Sequence, residues 1–252
     1  MKKVNGIFLG VCILLFSVNA YSQENNTSIG KTHTLSFKTQ YIQVKDALNY
    51  GLVYNGPNLG VAYSYKKSTD ENMLTYSPEV YFGGLFAKGG GFSWRFKPID
   101  IFYGLNLKSR HITIGAYLST DYQWQQYPEL HGGRLYWFSS IEIGPKIAYE
   151  LHTNSYLLNI CFSNSLAGFT SRPKQTNEPY FYSFSLSEFI NVANQNLDFG
   201  SFNQFNRTKL EIKLNPDSWK RFSIGYSFEY FGYYQEPSLS YLSHSFNLNW
   251  KI

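Results

Sequence analysis

The stretch Arg221-Phe222-Ser223-Ile224-Gly225-Tyr226-Ser227-Phe228-Glu229-Tyr230 decides how this chain folds. From Phe222 to Tyr230 every second residue is apolar or aromatic, and the residues between are Ser, Gly or Glu. A period of two belongs to a β-strand, whose successive side chains point to opposite faces. This strand therefore has one strongly apolar face and one polar face.

The same pattern extends in both directions. Upstream, Leu210, Ile212 and Leu214 alternate with Arg207, Lys209, Glu211 and Lys213, and the turn formers Asn215-Pro216-Asp217-Ser218 follow. Downstream of Glu236-Pro237, Leu242, Phe246, Leu248, Trp250 and Ile252 oppose Ser243, Ser245, Asn247, Asn249 and Lys251. Residues 58–67, 111–124 and 134–151 repeat the alternation, the last over a length well beyond the 5 or 6 residues typical of a soluble strand. Weaker segments lie at 33–44, 73–86, 90–97, 100–108, 154–168 and 179–190, so the segments sum to 12 strands, with 10 equally defensible. The short connections at 108–110, 152–154 and 215–218 can share one end of a barrel only if 169–204 is a single long loop. That merging leaves an odd number and places a further miscount within 45–57.

Composition fits two faces meeting two solvents. The 252 residues are 43% hydrophobic and 19% aromatic but only 15% charged, with a mean hydropathy of −0.30. So many aromatics exclude a disordered chain, and the residue balance excludes a coiled coil. Negative hydropathy excludes a bundle of membrane helices. At the start, Lys2 and Lys3 precede an apolar run from Ile7 to Val18, and Ala20-Tyr21-Ser22 supplies small residues for cleavage. This predicts a secretory signal peptide over 1–22 and a single domain over 23–252. Loss of Lys2 and Lys3 lowers the net charge from +5 to +3, too small an excess to point to nucleic acid. Only Cys161 remains in the exported part, so no internal disulfide is expected.

Periodicity does not say which face meets water. In a soluble sandwich the apolar face is the core; in a transmembrane barrel it meets lipid. The polar faces carry Glu79, Arg95, Asp121, Arg134, Glu142, Lys146, Glu150, Arg207, Lys209, Glu211, Lys213, Arg221 and Glu229, a nearly balanced set suited to a small lumen filled by ion pairs. A soluble surface could carry the same mixture. Aromatic placement discriminates better, because Tyr and Trp favour membrane–water interfaces. The apolar faces end in Tyr63, Tyr65, Tyr122, Trp124, Trp137, Tyr230, Tyr234 and Trp250. The expected fold is an all-β, antiparallel transmembrane β-barrel of about 10–12 strands.

In these features the chain resembles the outer-membrane β-barrel proteins of Gram-negative bacteria. The most specific part is the final strand, His244-Ser245-Phe246-Asn247-Leu248-Asn249-Trp250-Lys251-Ile252. In that family such a strand is the signal for the barrel-assembly machinery, usually ending in an aromatic residue, from which Ile252 departs. The resemblance implies a cell outer-membrane location, contact with outer-membrane lipid, and the assembly machinery as a partner during insertion.

Chemistry-bearing motifs are few. Cys161-Phe162-Ser163-Asn164 is similar to the His-x-Ser-Asn pattern of lipid A deacylase barrels, with Cys replacing the base, so that activity is not carried over. His244 and Ser245 are neighbours in a strand and point to opposite faces. No metal-ligand spacing, cofactor motif or catalytic triad is present. The longest connections, 124–133 and 169–180, offer Trp124, Tyr127, Pro128, Arg172, Pro173, Lys174 and Pro179 as contacts for a partner protein or small ligand. The expected function is a narrow channel or a scaffold for partner proteins; the alternative is a barrel enzyme hydrolysing lipid A or phospholipid.

Overall fold

The computed structural model describes residues 30–87, 89–107, 111–127, 134–173 and 186–252. The expected leader 1–22 and the loop residues Pro128, Lys174 and Pro179 lie outside these, as does the side chain of Arg134.

Ten strands form one closed antiparallel barrel. They are β1 (Gly30–Asp46), β2 (Val53–Ser68), β3 (Asn72–Tyr76 and Glu79–Ala87), β4 (Gly89–Lys97 and Asp100–Leu107), β5 (Ile112–Tyr127), β6 (Arg134–His152), β7 (Tyr156–Asn164 and Ala167–Ser171), β8 (Asp198–Ser201 and Phe205–Pro216), β9 (Phe222–Tyr233) and β10 (Leu239–Lys251). Each strand pairs with the next, and β1 closes the ring on β10 in the register Thr34↔Lys251 to Asp46↔Leu239. Four strands run in two pieces. In β3 and β4 the breaks fall at Pro78 and Pro98, whose rings remove the ladder donor. Around them the wall stays bonded: Tyr63 donates to the Pro78 carbonyl at 3.1 Å and Thr120 to that of Ile99 at 2.8 Å.

This arrangement explains where a count of sequence segments runs high. Segments 90–97 and 100–108 are the two pieces of β4, and the described part of 179–190 enters a helix, α1 (Leu186–Ala193). Within 45–57 there is no extra strand but a turn, which Asp46 caps by accepting from the Leu48 amide at 2.8 Å, with Tyr50 and Gly51 at positive φ. The region 169–204 does hold one long connection, between β7 and β8. Short turns at 69–71, 153–155 and 217–221 share the end at which β1 begins and β10 ends. The other end carries the 47–52, 172–197 and 234–238 connections and is called the loop end below.

The two faces are inverted relative to a soluble protein. Asn58 is 2% exposed while its neighbour Leu59 is 68% exposed. Gln40, Ser93, Asp121, Ser223 and Ser245 are buried inside, whereas Phe37, Phe82, Leu105, Phe162 and Phe246 stand on the outer surface. Apolar surface left in water costs about 25 cal/mol per Å², and contiguous patches of this extent mark contact with membrane or protein. The architecture is that of a transmembrane β-barrel.

Candidate functional site: the filled lumen and its loop end

Because strand side chains alternate, the inward positions of all ten strands share one interior, and their chemistry changes along the axis. At the loop end the fill is aromatic and aliphatic. Ile42, Val44, Tyr54, Leu85, Tyr127, Tyr136, Phe138, Phe205, Phe231, Tyr233 and Tyr241 form one buried cluster drawn from every strand except β4 and β7. Phe138 and Phe231 have ring centroids 4.4 Å apart, and Tyr54 and Tyr127 4.3 Å. Arg172 closes the rim, holding Asp46 at 2.6 Å and lying over the Tyr233 ring.

Below this plug two guanidiniums face three carboxylates. Arg95 contacts Asp121 through Nε at 2.9 Å and Nη2 at 3.0 Å, and reaches Glu229 through Nη1 at 2.9 Å. Arg207 holds Asp121 at 2.7 Å and Glu142 at 2.8 Å and also pairs with Glu229. All five are nearly solvent-free. Charges removed from water need partners, and each of these five has at least one of opposite sign, Glu142 through one carboxylate oxygen only. Arg95 also lies against Tyr241 and Arg207 against Phe231, which joins the ion layer to the plug. The cavity beside Arg95, lined by Ile42, Asn58, Gln123 and Trp124, measures about 10 Å³, room for one water at most.

Towards the opposite end the fill becomes lysine-rich and wetter. Lys38 meets Glu79 at 2.5 Å, Lys209 meets Glu211 at 2.9 Å and Lys146 meets Glu211 at 3.6 Å. Lys66 and Glu150 pair at 2.8 Å with side chains 36% and 31% exposed, so solvent enters from this end. Among the described residues the lumen is wetter towards the short turns and more tightly filled towards the loops.

The sequence-derived lumen residues Glu79, Arg95, Asp121, Glu142, Lys146, Glu150, Arg207, Lys209, Glu211 and Glu229 all meet in this interior, and Lys213 continues the same face of β8. Arg221 instead sits in the exposed 217–221 turn. The structure adds Lys38, Lys66, Lys97 and Asp100. Their inward positions follow from the parity of their strands, but Pro98 separates Lys97 from Asp100 and masks the pattern.

On the outer face, Tyr63, Tyr65 and Trp250 lie towards the short-turn end, and Tyr230 and Tyr234 towards the loop end. Tyr122, Trp124 and Trp137 are buried, because α1 folds back over the outside of the wall. Ala193 packs against these three rings, with Trp94, Phe96 and Val192 around them. Ser139 donates its hydroxyl to the Ala193 carbonyl, and Asn194 reaches the Tyr122 hydroxyl at 3.4 Å. The strand expected over 179–190 is corrected, over its described part, to a helix, whose signal is the recurrence of Leu186, Phe189, Ile190 and Ala193 at i, i+3, i+4 and i+7.

The catalytic candidates stay apart. His244 turns outward and shares a 2.7 Å hydrogen bond with Tyr226, while Ser245 is buried inside and donates to Asn247. Cys161 packs with Met73, Phe102, Tyr117 and Ala148. Among the described residues no group of three or more His, Cys, Asp or Glu side chains is placed to hold a metal ion.

No protein-family model matches the chain, and no curated protein does. Solved structures do. The outer-membrane protease OmpT of Escherichia coli is 8% identical over 93% of this chain and 99% of its own, with a TM-score of 0.43. The β domain of the Bordetella autotransporter BrkA is 12% identical over 88% and 98%, with a TM-score of 0.46. The Pseudomonas putida toluene transporter TodX is 12% identical over 88% and 89%, with a TM-score of 0.38.

Proposed function

We propose that this protein is an integral outer-membrane barrel, exported by its leader, whose lumen is sealed by its own side chains and which serves as a scaffold. The observation that carries this reading is the Arg95–Glu229 contact, which runs from β4 to β9 across the lumen beside a cavity of only about 10 Å³. A barrel of about ten strands has an interior little wider than its side chains. Among the described residues a salt-bridge layer lies under an aromatic layer, and this supports a lumen closed to hydrated ions. The loop end presents Tyr50, Leu52, Phe202 and Tyr234, all exposed, and these are its surface for a partner protein. The test is planar-bilayer recording on the folded protein. The expected result is a silent membrane after repeated insertion; reproducible unitary steps would overturn the sealed reading in favour of a channel.

A further inference from the structure

The outer wall is not evenly convex. Across the closing seam, β8, β9, β10, β1, β2 and β3 frame a trough of about 950 Å³, lined by Phe37, Leu59, Phe82, Ile212, Ile224 and Leu248 among others. Inside the wall at this point, Gly60 makes room for a ring: a Cβ there would stand 2.3 Å from Tyr81. Tyr81 packs onto the bare backbone of β2, hydrogen-bonds Glu79 at 3.1 Å and accepts Lys38 over its face.

Following β1 and β2 from the trough to the short-turn end, the outward side chains change in a fixed order. First comes an aromatic belt, in which His33 shares a 2.6 Å hydrogen bond with Tyr63 and packs against Tyr65. Beyond it, Lys31 and Lys67 stand directly opposite each other in register. Among the described residues neither has an ion-pair partner. Like charges facing across a strand pair are destabilising unless something neutralises them. Six residues separate Phe37 from Lys31, roughly 20 Å along a strand. At a tilt of about 45° this is roughly 14 Å of depth, about one leaflet of a ~30 Å hydrocarbon core.

We infer that this seam face is a binding site for one anionic glycerophospholipid of the leaflet at the short-turn end. An acyl chain fills the trough, and the phosphate bridges Lys31 and Lys67. A second copy of the barrel does not fit, because two concave walls brought together enclose a void. The inference rests on the membrane reading above, and its test separates the two.

Native mass spectrometry of the folded barrel in neutral detergent is run with equimolar phosphatidylglycerol and phosphatidylcholine. The expected result is one retained phosphatidylglycerol in several-fold excess, falling to parity in the Lys31→Gln/Lys67→Gln variant and lost in Thr39→Trp, which fills the trough. Equal retention of both lipids by the native chain, or an excess unchanged in the double variant, would overturn the site. Heat-modifiable gel migration is recorded for each sample. A native chain without it counts against the membrane barrel itself, whereas a folded barrel without lipid preference counts only against this site.

Discussion

Arg95 on β4 and Glu229 on β9 are 134 residues apart in sequence and joined across the lumen by two parallel hydrogen bonds, Nη1 to Oε2 at 2.9 Å and Nη2 to Oε1. Removing Glu229 takes both bonds from a desolvated guanidinium, which Asp121 alone of the carboxylates then holds. Glu229→Ala is therefore expected to lower stability by about 3 to 5 kcal/mol, read as the urea midpoint of the barrel in lipid vesicles. Replacing both residues, as Arg95→Met with Glu229→Leu, leaves the layer's net charge unchanged and should cost less than the single substitution. A double variant weaker than Glu229→Ala would show that the pair is not the unit of stability.

The aromatic plug is a second, separate seal. Phe231 is fully buried between Phe138 and Phe205 and lies against Arg207. Phe231→Ala should cost about 3 to 5 kcal/mol through the cavity it leaves. It should not make the barrel conduct, since the ion layer beneath remains. Single-channel recording of this variant checks the claim, and sustained current would show that the plug alone holds the seal.

Helix α1 adheres to the wall through a small residue. Ala193 is 1% exposed against Tyr122, Trp124 and Trp137. Ala193→Arg cannot fit there and should free the 172–197 connection. Limited proteolysis is then expected to cut that connection many times faster, with the heat-modifiable barrel band retained. Unchanged cleavage would mean that α1 is held by something other than this contact.

The last strand is paired on both sides, with β9 along its whole length and with β1. Deleting residues 243–252 removes the seam and should abolish membrane insertion, as seen by fractionation and loss of heat-modifiable migration. A truncated chain that still inserts would contradict the role assigned to this strand.

Much of this was legible in the sequence because β-period is local. Phe222 to Tyr230 and Phe246 to Ile252 separate their faces residue by residue, and inverted burial follows once the apolar face is assigned to lipid. Three things were not legible, each for a physical reason. Pro98 breaks the alternation, so β4 reads as two strands, 90–97 and 100–108. Tyr136-Trp137-Phe138 is aromatic on both faces, so the alternation does not show that Tyr136 and Phe138 fill the interior plug while Trp137 lies under α1. The partners of Arg95 and Arg207 depend on which strands stand opposite across the lumen, a property of closure that no local pattern carries.

Closure also constrains the order of events in making the protein. The Ser36 hydroxyl donates to Asn249, 213 residues further along, and every pairing between β1 and β10 is of this kind. Until β10 has been synthesised, β1 presents on that side a row of unmatched amides and carbonyls, a template for joining any other chain. Contacts so distant in sequence also form slowly, because the closure entropy must be overcome before they form. A barrel closed between strands so far apart in sequence is thus exposed to mispairing along β1 for as long as β10 is not in place.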